Sequence, residues 1–137
     1  MDINKLKEEL TRDEGFRSKP YRCTANKLTI GIGRNIEDVG ITEEEAKYLL
    51  DNDVRRIIAE LDILIPWWDD LTDARQRALI NMAFQLGVNG LMGFKKMLAA
   101  LEVGNYREAC LEGLNSKWAK KDTPQRAYRI TRMLLEG

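Results

Sequence analysis

One segment of this chain carries a strand signature, and it fixes the class of fold. Leu28, Ile30 and Ile32 alternate with Thr29, Gly31 and Gly33, the period-two pattern of a half-buried β-strand. Thr24-Ala25-Asn26-Lys27, just upstream, has turn composition. Nearly all the rest reads as helix. The chain is therefore expected to be α+β and mostly α, with a small β-hairpin placed early.

The first helix is expected from Asp2 to Glu14. Asp2 caps it, Ile3, Leu6 and Leu10 form one apolar stripe, and Gly15 stops it. Asp13 and Glu14 fall at its C-terminal end, where the helix dipole disfavours negative charge. Two acids there need cationic partners, or one keeps its proton. A carboxyl group facing a hairpin that bears Cys23 and Thr29 suits acid–base chemistry. The plainer alternative is that both acids point into water.

Downstream, Arg34 to Gly40 reads as a loop. Thr42-Glu43-Glu44-Glu45 is a capping box. Ala46, Leu49, Leu50, Val54, Ile57, Ile58 and Leu61 then keep helical spacing as far as Pro66, the mark of a long helix linking two lobes. Asp53 falls near that stripe, so it is either paired or at the helix edge. Trp67 and Trp68 are expected to cap the second lobe's core. Thr72 opens a helix that Gly87 closes, apolar on nearly all sides from Ala78 to Leu86, with Phe84 and Gln85 at its far end. Phe94, Met97, Leu98 and Leu101 mark a short helix, and Asn105 with Glu108 opens another. Ser116 to Ala119 reads as a connector. Thr123-Pro124 is an N-cap followed by an N1 proline, and that last helix turns Ile130, Met133 and Leu134 inward. The whole is one domain, residues 1–137. Its hairpin lobe covers about 15–60, its helical lobe about 1–14 plus 61–137, and the cleft between them is the expected ligand site.

Composition excludes several classes. With 22 basic and 22 acidic residues the net charge is zero, which argues against a nucleic-acid partner. No apolar run is long enough to insert in a membrane, and the charged start is no secretory signal. The product is expected to accumulate in the cytoplasm as a monomer. The chain has no histidine, and Cys23 and Cys110 are its only cysteines. Two free thiols and no metal or other cofactor are expected. Cys110 is expected in the core.

Glu14, eight residues, Cys23, five residues, Thr29, then Ile30-Gly31-Ile32-Gly33 resembles the active-site region of T-even-type phage lysozymes, glycoside hydrolase family 24, which carry Glu, then Asp or Cys, then Thr. The likeness continues through Ala78-Leu79-Ile80-Asn81-Met82-Ala83-Phe84-Gln85-Leu86-Gly87 and Thr123-Pro124-Gln125-Arg126-Ala127. It implies a two-lobed lysozyme-like fold and a muramidase (endolysin) acting on peptidoglycan glycan strands, cleaving the β-1,4 bond between N-acetylmuramic acid and N-acetylglucosamine and so lysing the host. It implies release from the cytoplasm to the wall by a holin-type lesion. It makes Glu14 the general acid and Asn35 and Phe84 substrate contacts. It pairs Arg126 with Glu14 and Arg129 with Asp13. In the family an aspartate at the position of Asp53 meets a histidine after the Gly-x-Gly segment; here Arg34 stands in that place, so an Arg34–Asp53 pair is expected.

Cys23 changes the chemistry from that of an aspartate. A free thiol is mostly neutral at pH 7, and a nearby Glu14 carboxylate should raise its pKa. Cys23 is then either a thiolate base or nucleophile, or a neutral group that places water with Thr29; water placement with inversion is the favoured reading. Competing functions are a lytic transglycosylase, which needs one acid–base group and no activated water, and a silent wall-binding protein.

Overall fold

Asp2 opens the first element by accepting from the Lys5 amide at 3.0 Å. Helix α1 runs Ile3–Glu14, and the Gly15 N–H closes it onto Thr11 O at 2.8 Å. Both ends lie where the local sequence signals put them. The computed structural model describes residues Met1–Gly137, all of the chain, and these form two compact units, Met1–Tyr48 and Leu49–Gly137.

In the first unit, strands β1 (Arg17–Arg22), β2 (Leu28–Gly31) and β3 (Arg34–Asn35) make an antiparallel sheet in that order. Tyr21 stands opposite Thr29 and Arg22 opposite Leu28, with an irregularity between Arg17 and Tyr21. The expected hairpin is β1–β2; β3 is an addition. Gly31 and Gly33 both have φ near +70°, a region costly for residues with a Cβ. They reverse the chain after β2, so Ile32 lies in a turn rather than in the strand. Arg34 comes back opposite Ile30 and Asn35 opposite Thr29. The stretch expected to be a loop is thus β3 followed by a one-turn helix, α2 (Ile36–Val39).

Thr29, 2% exposed, is the one buried residue of this unit. Charge and hydrogen bonds organise the rest. Arg22 meets Glu37 at 2.8 Å, and Lys27 lies 3.5 Å from Glu37 and 3.3 Å from Asp38. Exposed pairs of this kind contribute at most about 1 kcal/mol each.

Helix α3 (Glu43–Leu64) starts at the expected capping box: the Glu45 amide donates to Thr42 Oγ1 and the Thr42 amide to Glu45 Oε1, at 3.1 and 2.9 Å. The two units divide inside this helix, after Tyr48. The sequence suggested lobes of about 15–60 and 61–137, with the first helix in the second. Burial along α3 begins at Ile57 and Leu61. Both join Ile65 and Trp68 in the core around α4 (Asp73–Leu86), which buries Ala78, Leu79, Met82 and Ala83. Helices α5 (Val88–Met92), α6 (Lys95–Glu102), α7 (Tyr106–Leu114) and α8 (Pro124–Glu136) complete this unit. The short α5 lies between Gly87, which closes α4, and α6, in a stretch for which no element was expected. The expected connector gives way, at Trp118–Asp122, to a π-helical turn. Cys110 is buried, and Trp118 packs edge-on against Phe94, ring centroids 5.7 Å apart.

A buried arginine ties the ends of this unit together. Arg75 Nε donates to Leu134 O at 2.8 Å and Nη2 to Leu135 O at 3.1 Å. Its guanidinium lies 3.3 Å from the Tyr106 ring centroid. It thereby satisfies carbonyls at the C-terminus of α8 that no helical partner can reach. No helix of the chain is long and apolar enough to cross a membrane.

Candidate active site

Glu14 is the last residue of α1, and Gly15 turns the chain from it into β1. Its carboxyl lies against the Gly33 backbone, in the turn between β2 and β3. A Cβ built on Gly33 would stand 2.9 Å from Glu14 Cδ and Oε2 and 3.1 Å from Cγ. The acid therefore occupies the space that any side chain at position 33 would need.

Cys23 follows β1, at the start of the hairpin turn. Its amide donates to Lys27 O at 3.0 Å, and its carbonyl accepts from the Asn26 amide at 2.8 Å. Asn26 takes a positive φ of 60°, which asparagine tolerates better than most residues. The backbone N–H of Lys27, then that of Ala25, holds the thiol below its ordinary range, and desolvation opposes this. The direction is opposite to the one expected from a neighbouring carboxylate. The cause is local, since hydrogen bonds to the charged form favour it. Thr29 also donates from Oγ1 to Lys27 O at 2.8 Å, so strand β2 and the turn share one small polar cluster.

Arg34 is paired, but its partner corrects the expectation. Its two terminal nitrogens reach Glu45 Oε1 and Oε2 at 3.0 and 2.7 Å, and Nη1 also donates to Gly40 O at 3.1 Å. Glu45, the capping-box acid, takes the place expected of Asp53. It presents both oxygens to a planar guanidinium, the geometry arginine fits best. Arg34 first and the Thr42 amide second hold the Glu45 carboxyl down at about 2. Asp53 is partnered instead by Arg56, one turn along α3, at 3.0 Å. Asn35, expected to meet substrate, uses its side chain to start α2: Oδ1 accepts from the Asp38 amide at 3.1 Å and Nδ2 donates to Asp38 Oδ2 at 3.0 Å.

In the second unit, Phe84 is 46% exposed near the end of α4. With Leu50, Ile80, Asn81 and Arg126 it lines a mainly apolar groove of ≈ 510 Å³. Arg126 grips Asn81 Oδ1 with Nε and Nη2 at 3.0 and 2.9 Å. The acids expected to meet Arg126 and Arg129, namely Glu14 and Asp13, belong to the other unit. There Asp13 has its neighbour Arg12 at 3.1 Å. These are the partners each unit supplies by itself.

Two contacts went unread in the sequence. One is Gly33 under Glu14. The other is Gln85, which accepts from Trp118 Nε1 and donates to Thr123 Oγ1, both at 3.0 Å. Thr123 was expected to cap α8; its hydroxyl serves Gln85 instead and makes no cap bond. A signal existed, because a lone amide ending an apolar helical run must find partners for both its polar atoms.

A family model described as phage lysozyme matches residues 11–132, a span that holds every one of these residues. The pre-baseplate central spike protein Gp5 of Enterobacteria phage T4 is 36% identical over 96% of this chain, which spans only 28% of that protein's length. A Dictyostelium discoideum protein named "Probable T4-type lysozyme 1" is 29% identical over 98% of this chain and 96% of its own. An endolysin of Acyrthosiphon pisum secondary endosymbiont phage 1 is 34% identical over 81% of this chain and 75% of its own.

Proposed function

The chain belongs to the phage lysozyme family, and from that premise we propose that it is a muramidase that hydrolyses the β-1,4 bond between N-acetylmuramic acid and N-acetylglucosamine in peptidoglycan. One observation carries the reading: Glu14 ends α1 with its carboxyl on the Gly33 turn, which follows the strand that bears Thr29, and the Thr29 hydroxyl and the Cys23 amide both donate to Lys27 O. The reading takes these three residues, which lie on or beside one small sheet, as the reacting groups.

Glu14 gives its proton to the leaving glycosidic oxygen as the bond to the anomeric carbon breaks. A water held by the Thr29 hydroxyl attacks that carbon from the opposite face and forms the new C–O bond. Cys23 takes the water's proton. The amides that hold its thiol below the ordinary range shift it in the direction this step needs. Attack by water predicts inversion at the anomeric carbon. Solvent exchange returns a proton to Glu14 and takes one from Cys23, and one water is consumed per cut.

Asn35 and Phe84 contact the glycan in this reading, Phe84 offering a ring face to the apolar face of a sugar. The working form is a monomer whose partner is the glycan strand, released from the host cytoplasm by a holin-type lesion.

The test is digestion of purified peptidoglycan by the parent protein and by Glu14→Gln, with the released sugars identified by mass. Reducing-end muropeptides from the parent and none from the variant are expected. Anhydro sugars would make the protein a lytic transglycosylase. Binding without release by the parent would make it a silent wall-binding protein.

A further inference from the structure

We propose that Gly33 is a positioning residue for the acid: its missing side chain is what lets the Glu14 carboxyl lie where it does. The inference rests on the reading of Glu14 as proton donor, and it adds a second residue to that role.

Two glycines flank Ile32, and they differ in one respect. Gly31 and Gly33 have nearly the same φ, +71° and +70°. Any L-residue at either site meets the same backbone strain. A Cβ at Gly31 has nothing within 4 Å, whereas at Gly33 it would stand 2.9 Å from Glu14 Cδ and Oε2. Side-chain carbons do not approach that closely, so something has to move. The groups in the way are the far end of a flexible side chain, not backbone. Rotating Glu14 relieves the clash at little cost to the fold, and the displacement falls entirely on the carboxyl.

The two positions therefore separate strain from placement. Gly31→Ala carries the strain alone. Gly33→Ala carries the same strain and also moves the acid by a good fraction of an ångström. A proton donor must stay within about 0.5 Å of its productive position, and a displacement of about 1 Å can cost on the order of 100-fold in rate.

The experiment compares parent, Gly31→Ala and Gly33→Ala by thermal melting, by steady-state cleavage of soluble peptidoglycan fragments, and by the 13C resonance of the Glu14 carboxyl, assigned through Glu14→Gln. Both alanine variants are expected to melt at similar temperatures. Only Gly33→Ala should move the Glu14 resonance, and its kcat should fall about tenfold or more with KM little changed. An unmoved Glu14 resonance in Gly33→Ala would overturn the proposal. So would equal losses of kcat in both variants, because strain would then explain them. An unfolded Gly33→Ala beside a folded Gly31→Ala would overturn it too, since backbone and not the Glu14 side chain would have taken the clash. If the parent cuts nothing while the resonance moves only in Gly33→Ala, the positioning stands and the assignment of Glu14 as a muramidase acid falls.

Discussion

Replacing Gln85 with leucine removes a two-ended link at nearly constant volume. Gln85 joins Trp118, 3% exposed, to Thr123, the residue before α8, through two hydrogen bonds of 3.0 Å. In Gln85→Leu the buried indole N–H has no partner, which costs about 1–3 kcal/mol. Thr123 recovers part of this. Its hydroxyl is freed to turn onto the first amides of α8, a cap worth about 1 kcal/mol. The net loss is then roughly 1–2 kcal/mol, or a fall in Tm of about 3–10 °C for a chain of this size. Urea unfolding followed by far-ultraviolet circular dichroism measures it, with the slope m unchanged if the denatured state is unaffected. The decisive comparison is a double-mutant cycle. Trp118→Phe alone leaves the Gln85 carbonyl oxygen without its donor, while Gln85→Leu with Trp118→Phe leaves neither group stranded. The double variant should therefore be more stable than the sum of the two losses implies, by at least about 1 kcal/mol. Additivity within about 0.5 kcal/mol would refute the reasoning, because the two groups would then act independently.

Two further outcomes are expected. In a Cys110→Ser background, the pH midpoint of Cys23 alkylation by iodoacetamide should lie below that of the same chain in denaturant, because the Lys27 and Ala25 amides favour the thiolate; a midpoint at or above the denatured one would contradict the turn geometry. The folded thiol being the more acidic, this group's contribution to stability is present above the unfolded pKa and is lost as pH falls through the folded one. Glu45 follows the same sign at lower pH. Its carboxyl is held at about 2 against an ordinary 4.5, so its contribution is present above pH 4.5 and disappears as pH falls toward 2. In Arg34→Met the 13C titration of Glu45 should move upward toward the ordinary carboxylate range, and an unchanged midpoint would mean that the Thr42 amide alone holds it down.

What the sequence determined by itself is what neighbouring residues decide among themselves. Asp2 with the Lys5 amide, Thr42 with Glu45 and Thr72 with the Arg75 amide are all three residues apart, so one helical turn brings them together whatever the rest of the chain does. The period-two stretch located β2 for the same reason. It overran by two residues because alternation does not reveal that Gly31 and Gly33 take positive φ and reverse the chain. The Glu-Cys-Thr spacing named the candidate residues without showing that amides would favour the thiolate. Tertiary structure decided the partners. The resemblance paired Arg34 with Asp53, and only geometry reveals Glu45 as the acid that presents both oxygens to it. Arg75 meets carbonyls 59 and 60 residues away, and Gln85 meets Thr123 across 38. The Glu14 carboxyl rests on Gly33 for want of a Cβ. Hydrogen bonds and steric exclusion act over a few ångströms of space, and sequence separation does not report that distance once the chain has turned back on itself.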